Sequence, residues 1–403
     1  MEYYDFVIYI FLAQFLSNAF FPHSHSKLAL IQTFGIFFLG AIARPVGSYF
    51  MGVYADRTGR RTSYFQILFL MTLSTLAIAL IPTYQMIGFW AIILLIFFRL
   101  AQCICFGSDL PTGIILLAEH APENRKSFYC GLLVMNVAFG SAMGTGISYL
   151  LTHFLSASAM QTYGWRLAFL LGAVLNLIGF IARRQIKETS AFMTFKKSLQ
   201  SVKTFQIGIK DCVIAIGILL FPSSLIMLQT TFPFSLPKTY HISSNNIFLY
   251  LTLFGLIEAA LIPAFSYLSD FISRRLYYRI GIILWLVIMP LNFIFILPLN
   301  NSWSTPLFLA LYTLLIGILA GGFFILMAES FSIKARVRQY ALSYNIAYLI
   351  MSAIPLFVTW LLTMQHWLTG ILILTCGLAL ISLLTTLSPI LSHRKIQHRW
   401  GSF

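Results

Sequence analysis

Residues Ala43–Arg61 read ARPVGSYFMGVYADRTGRR, a run that sets four arginines and an aspartate among three glycines. The chain around it is hostile to charge: of 403 residues, 59% are hydrophobic and 9% charged, and 38 are Phe. No water-facing globular surface shows that balance, so the chain reads as an integral membrane protein. Its net charge of +15 does not point to nucleic acid, because the apolar content removes the soluble fold on which a basic face would sit. Topology must explain it instead.

A hydrocarbon core about 30 Å thick takes roughly 20 helical residues, and apolar runs of that length recur between charged or Pro/Gly/Asn-rich breaks. Twelve spans are expected, all helical. The basic residues fall on alternate loops, so that 21 of the 26 Lys and Arg lie on one side, which the positive-inside rule makes cytoplasmic together with both termini. The longest polar connection divides six spans from six. The expected organisation is a bundle over 1–183, a cytoplasmic linker over 184–206, a second bundle over 207–391 and a tail over 392–403. No leader with a short apolar core and cleavage site is visible, so the first helix is expected to be retained. Five cysteines lie in or beside apolar runs and are expected to be free thiols.

The halves resemble each other. Aligning Asp56 with Asp270 places Arg60 and Arg61 on Arg274 and Arg275. Aligning Glu119 with Glu329 places Lys126 on Arg336. Two parallel six-helix repeats follow, the arrangement in which two bundles rock about a site near the bilayer midplane.

The opening stretch can now be compared. Gly47-x4-Gly52-x3-Asp56-Arg57-x-Gly59-Arg60-Arg61 resembles the loop signature of the major facilitator superfamily, which joins the second and third helices on the cytoplasmic side. Physically, glycines let helices approach, an Asp at a helix end pairs with basic groups or helix N-termini, and arginines hold the loop at an anionic leaflet. EYYDF (2–6), RPVG (44–47), Arg99-x-x-Gln102, Asp109, AEHAP (118–122), GWRLAF (164–169) and ETSAF (188–192) occur in the order seen in the metabolite:proton symporter family. That resemblance, most like the proline/betaine type, implies a transporter of the cytoplasmic membrane. Its substrate is a small solute, the proton is the coupling ion, and it functions as a monomer without cofactor, metal or nucleic-acid partner. Departures are Asp109 where relatives carry Glu, Cys103 and Ser108 where they carry Gly, and a second-half loop, SYLSDFISRR, that has lost its glycines.

An Asp or Arg at a helix centre costs roughly 2.5–3.5 kcal/mol on an insertion scale, so each intramembrane charge needs a partner, a wet cavity or a job. Glu2, Asp5, Arg44, Arg99, Asp109 and Glu258 are the candidates. Arg44 precedes Asp56 by twelve residues, about 18 Å of helix, which sets it near mid-bilayer. Arg99, Gln102 and Asp109 share one face of the fourth span. Arg44 and Arg99 suit a substrate carboxylate, with Tyr9, Gln102, Gln229 and Asn345 as polar contacts. Asp5, Asp109, Glu258 and Glu2 are the proton-coupling candidates, because a partly dehydrated carboxylate holds its proton more tightly. A static Asp–Arg pair that only fixes packing is the plain alternative. Glu258 has no counterpart in the family motifs; a task in substrate binding or coupling and a place facing trapped water are both open. Tyr344, Asn345 and Tyr348 give the eleventh span a polar face whose roles are not separable by sequence. Pro222, Pro233 and Pro237 suggest a bendable seventh span. The expected conformational latch comprises Gly47, Gly52, Asp56, Arg57, Gly59, Arg60, Arg61, Glu119, Lys126, Asp270, Arg274, Arg275, Glu329 and Arg336. An enzyme is not expected, since no His stands with an acid at a usable spacing. A solute sensor and an efflux carrier of the same fold stay open.

Overall fold

A computed structural model of the chain describes residues 2–58, 60–183, 209–240, 244–299, 301, 303–331, 336–362 and 367–387. Side chains of 2, 26–27, 52–58, 60–64, 108, 182–183, 234, 238–240, 244–245, 336 and 367 lie outside that description. The described residues are almost all helical, with no strand among them. Among the described residues, ten helices are long and apolar enough to cross a membrane. The other two positions in the series belong to Arg60–Leu80, and to a first span made of Glu2–Phe11 and Ala13–Phe20, broken at Leu12.

The remaining spans are Ser26–Thr58, Phe89–His120, Lys126–Phe154 and Trp165–Arg183 in the first half, each acidic or basic break falling where the helix ends. In the second half they are Ile209–Gln229 continued by Phe232–Tyr240, Ser244–Ser269, Arg274–Leu291, Ser304–Ser330, Arg336–Met351 continued by Ile354–Leu361, and Trp367–Thr386. The seventh span turns at Thr230–Thr231, close to the prolines that mark it. The eleventh restarts with Pro355 in its first turn, where a missing N–H costs nothing. The repeat alignment has a structural counterpart: Lys126 and Arg336 are each the first residue of their helix. The outward surface is apolar, with Phe50, Phe89, Trp90 and Ile373 each more than 60% exposed, as lipid contact requires.

Between apolar helices in lipid, packing and internal hydrogen bonds replace the hydrophobic drive. Tyr4 donates to the Ala168 carbonyl at 2.8 Å, tying the first span to the sixth. In the second half Tyr278 reaches the Ile218 carbonyl at 3.0 Å, and Tyr312 reaches the Leu225 carbonyl at 2.7 Å. Arg166, from the GWRLAF motif, donates to the Ala79 and Ile81 carbonyls at 2.7 Å each, while its guanidinium lies 4.4 Å from the Trp165 ring. It thus satisfies carbonyls that the end of the third span leaves orphaned. All five cysteines are free.

The second and fourth spans cross so closely that a Cβ on Gly47 would strike the Ile104 backbone, and one on Gly107 would strike the Arg44 carbonyl. Gly47, expected in the latch, therefore serves first as a crossing point. Gly47→Val is expected to cost roughly 1–3 kcal/mol through overpacking, read as a lower melting temperature of the purified protein. An unchanged melting temperature would show that the crossing relaxes freely.

The two halves meet along the fifth and eighth spans and along the second and eleventh. On the first seam Gly131 lies against Ser266, Gly255 against Ala142, and Thr252 donates to Thr145 Oγ1 at 3.0 Å, so the contact runs the length of both helices.

Candidate functional site

Two arginines that lipid would reject are buried in the first half, Arg44 and Arg99, each 1% exposed. The fourth span brings Arg99 and Gln102 onto one face. Arg99 Nη1 donates to Gln102 Oε1 at 2.8 Å, and Nη2 to the Phe6 carbonyl at 3.2 Å. Gln102 Nε2 in turn donates to Thr75 Oγ1 at 2.7 Å, and Thr75 Oγ1 lies 2.7 Å from Asp5 Oδ2. Asn176 of the sixth span donates to the same Asp5 oxygen. Gly172 makes room for that carboxyl, since a Cβ there would meet Asp5 Oδ1. Asp5 and Arg99 are thus joined through Thr75 and Gln102 by a chain of hydrogen bonds drawn from the first, third and fourth spans.

Thr75 is the adjustable link. Its hydroxyl has one hydrogen and two acceptors in reach, Asp5 Oδ2 at 2.7 Å and the Met71 carbonyl at 2.9 Å. With Asp5 ionised the hydrogen belongs to Asp5. With Asp5 protonated the hydroxyl turns to Met71 and accepts from the acid, which one donor and two lone pairs allow.

Arg44 sits in an aromatic cage. Its guanidinium carbon is 3.8 Å from the Tyr348 ring, 4.7 Å from Phe106, 5.3 Å from Phe6 and 5.9 Å from Tyr344. Nε donates to Asn345 Oδ1 at 3.2 Å. Asn345 is itself fixed by donating to the Ala341 carbonyl at 2.7 Å and to the Gly107 carbonyl. No well-formed hydrogen bond reaches Nη1 or Nη2, although the Tyr344 and Tyr348 side chains are near enough to interact with the charge. The seam between the second and eleventh spans therefore holds a cation whose two terminal nitrogens have only the Tyr344 and Tyr348 side chains as loose hydrogen-bonding neighbours. Phe6 joins the two centres, lying 5.3 Å from Arg44 and 5.1 Å from Arg99.

The other candidates are distributed as follows. Tyr9 is fully buried, donates to the Thr33 carbonyl at 3.2 Å, and supports Arg99, whose guanidinium is 4.4 Å from its ring. Asp109 is half-buried on the fourth span and has polar interactions of its own. Gln229 Nε2 donates to Glu258 Oε2 at 3.2 Å, on the far side of the interior from Asp5 in sequence and in bundle. Glu2 begins the first helix, and its side chain lies outside the described residues. Thr75, Asn176, Phe6 and Phe106 were not among the candidates. Phe6 sits inside the EYYDF motif next to Asp5, and that adjacency was the available signal.

At the end that carries the basic loops, Asp270 accepts from the backbone N–H groups of Ser127 at 2.9 Å and Phe128 at 3.0 Å. A carboxylate of the second half thus caps the fifth span of the first, using amides that a helix N-terminus leaves free. Arg274 pairs with Glu329, and Lys126 stands 3.5 Å from Glu123. Glu119 has interactions of its own. Arg275 is half-buried in the first turn of its helix. Gly59 and the side chains of Asp56, Arg57, Arg60, Arg61 and Arg336, together with Gly52, lie outside the described residues. Asp270→Asn is expected to shift the population toward states parted at this end by up to roughly 30-fold, because a capping charge in such a setting contributes up to about 2 kcal/mol. Spin labels on the basic ends of the fifth and eighth spans, read by distance measurement, check it; an unchanged distribution removes the clasp.

The profile of the Major Facilitator Superfamily matches residues 4–204. The chain belongs to that superfamily. It is 28% identical over 380 residues to the glycine betaine/proline/ectoine/pipecolic acid transporter OusA of Dickeya dadantii (strain 3937), covering 90% of this chain and 75% of that one. It is 27% identical over 364 residues to the citrate-proton symporter of Klebsiella pneumoniae, covering 86% and 79%. The xylose transporter XylE from E. coli, in a partially occluded inward-open conformation, matches with a TM-score of 0.73 at 16% identity over 100% and 96% of the two chains. That last likeness concerns the fold alone. The facilitator chain is a multi-pass membrane transporter and not an enzyme.

Proposed function

We propose that the chain is a proton-coupled symporter that takes up a small carboxylate-bearing solute, of the proline/betaine or organic-acid kind, across the bacterial cytoplasmic membrane, with both termini inside. The observation that carries the reading is the hydrogen-bond chain from Asp5 through Thr75 and Gln102 to Arg99. When Asp5 takes a proton its charge disappears, Thr75 redirects its hydrogen, and Arg99 loses the anion that balances it in a medium of low dielectric. A substrate carboxylate then replaces that balance, and Arg44, whose two terminal nitrogens lack a well-formed hydrogen bond, offers it a fork. Phe6, covalently next to Asp5 and packed on both arginines, carries movement of the first span to both. Asp109 is the second candidate acid. The proton is the coupling ion, and the two bundles rock about this centre, with the Asp270 cap closing one end.

The names of the relatives support the same reading, since one is a transporter of glycine betaine and proline and another a citrate-proton symporter. Purified protein in liposomes under an imposed pH gradient tests it, with labelled proline, glycine betaine, citrate and 2-oxoglutarate. Accumulation above equilibrium that a protonophore abolishes is the expected result. Binding without accumulation favours a sensor, and gradient-driven loss of solute from the liposomes favours efflux.

A further inference from the structure

One buried carboxylate takes no part in the network around Asp5. Glu258, on the eighth span, is 7% exposed and stands in the wall of a small, partly open cavity of about 40 Å³, room for roughly two or three waters. The first and fifth spans of one bundle and the seventh, eighth and tenth of the other line it, so the cavity belongs to the seam between them. Its lining residues on the fifth and eighth spans fall between the Gly131–Ser266 contact and the Gly255–Ala142 contact, part-way along the surfaces that rocking would separate. What faces Glu258 there is neutral. Gln229 of the seventh span donates to Oε2 at 3.2 Å, while the fifth contributes Ser141, the first Tyr3, and the tenth only carbon. The nearby titratable groups are tyrosines: Tyr3 in the wall, and Tyr312 of the tenth span, which interacts with the charge but spends its hydrogen on the Leu225 carbonyl at 2.7 Å. Charged and ionisable groups on the packed spans otherwise stand near their ends, Lys126 and His153 on the fifth, Lys210 and Asp211 on the seventh, Glu329 on the tenth. Asp5 points away, toward Thr75 and Asn176. None of the described residues lining the cavity is a cation.

An ionised carboxylate in that wall is tolerable while water fills the seam. It becomes costly once the bundles meet around it, because one amide and a few waters replace bulk solvent and no counter-charge arrives. A protonated carboxyl carries no such cost. Gln229 suits both forms: its amide donates to the carboxylate through Nε2 and, turned over, accepts the acid's hydrogen through Oε1. The two forms therefore differ in the water they demand and not in that bond.

We propose that Glu258 is a second proton-binding site, on the seam between the bundles, and that the bundles close over it when it is protonated. The inference rests on the rocking of the bundles proposed above, and not on Asp5 or on the identity of the solute. The proton comes from water while the seam is open at one end and returns to water when the seam opens again. Every closure needs it, on the loaded and on the empty carrier alike. The site therefore sets the pH range in which the bundles exchange places and adds nothing to the proton that Asp5 couples to solute. A metal cation is the other charge able to neutralise the carboxylate. Its ligands there would be Glu258, the Gln229 oxygen and the Ser141 hydroxyl, short of the six or so oxygens that hard divalent ions take.

The test uses the full chain in nanodiscs, without solute or gradient. Spin labels at both ends of the fifth and eighth spans report the share of molecules in which both ends are together. As pH rises past the point where Glu258 ionises, the ratio of closed to open molecules is expected to fall about tenfold per pH unit, the slope of one proton. Glu258→Gln is expected to stay closed over the same range. Infrared spectra of the closed wild type are expected to show a carboxylic-acid band that Glu258→Gln lacks. Asp270 acts with the opposite sign, since protonating it weakens its cap as pH falls. If Glu258→Gln fails to fold, Glu258→Asp carries the test, its acid band and its closing midpoint being expected to move together away from the wild-type values. A closed share that ignores pH, a pH dependence kept in Glu258→Gln, the absence of a distinguishing band, or a band and a midpoint that move apart in Glu258→Asp overturns the proposal. So does closing that takes place in sodium and fails in choline, which assigns the site to a metal cation. A protein that closes as expected yet accumulates no solute under a pH gradient defeats the symport reading and leaves Glu258 as the proton site of the seam.

Discussion

Asp5→Asn is expected to abolish accumulation driven by a pH gradient and to leave exchange of labelled for unlabelled solute across the same liposomes. The asparagine keeps the size of the side chain, can accept from Thr75 and Asn176 through its carbonyl oxygen, and fits above Gly172, so folding is expected to survive. What it cannot do is gain and lose a proton. The electrostatic state around Arg99 is then fixed in its neutral-acid form, in which the arginine is free to meet a substrate carboxylate. Binding and exchange need only that form, whereas net uptake requires the acid to cycle. The accumulation ratio should therefore fall to about one, the value for passive equilibration. An Asp5→Asn protein that accumulates solute as the wild type does would move the proton site elsewhere, and Asp109→Asn in the same assay identifies whether it moves to the fourth span. Thr75→Val separates relay from acid, because it removes the redirectable hydrogen and leaves the carboxyl in place.

The sequence carried the spans, their number and their order, because membrane solvation imposes length and apolarity on each segment independently. It also carried the shared face of Arg99 and Gln102, which follows from helix periodicity alone. It did not carry the partners. Thr75 and Asn176 are ordinary residues in apolar runs, and only the packing of the third and sixth spans against the first makes them ligands of Asp5. Tyr9 reads as a polar contact, yet its burial makes it a platform under Arg99. The expected alternative of a direct Asp–Arg pair gives way to two arginines held by amides, carbonyls and rings, with Asp5 reached through Thr75. The break at Leu12 has no proline or glycine to announce it. Asp270 shows the opposite case: an acid next to a helix end suggested a partner helix terminus, and the amides of Ser127 and Phe128 supply one.

Arg44→Lys keeps the charge and is expected to weaken binding of a carboxylate-bearing solute by roughly 10- to 100-fold, since a hydrogen bond to a charged group contributes about 1.5–3 kcal/mol. Three features of the site depend on the guanidinium rather than on its charge. Nε holds Asn345 at 3.2 Å, and a lysine has no atom at that place. The plane of the group lies among Tyr348, Phe106 and Phe6, where a flat cation stacks and a compact, strongly hydrated ammonium does not. The two terminal nitrogens form the fork that a carboxylate engages with both oxygens. The variant also disturbs the seam between the bundles, because Asn345 belongs to the eleventh span and bonds the Gly107 carbonyl of the fourth. Asn345→Ala, which breaks the same seam but keeps the fork, distinguishes the two effects. If the loss is recognition, Arg44→Lys weakens binding of the carboxylate solute far more than Asn345→Ala does, and neither variant changes binding of the corresponding methyl ester. Equal losses for acid and ester in both variants would assign Arg44 to helix packing, and the carboxylate would then have to be met by Arg99 alone.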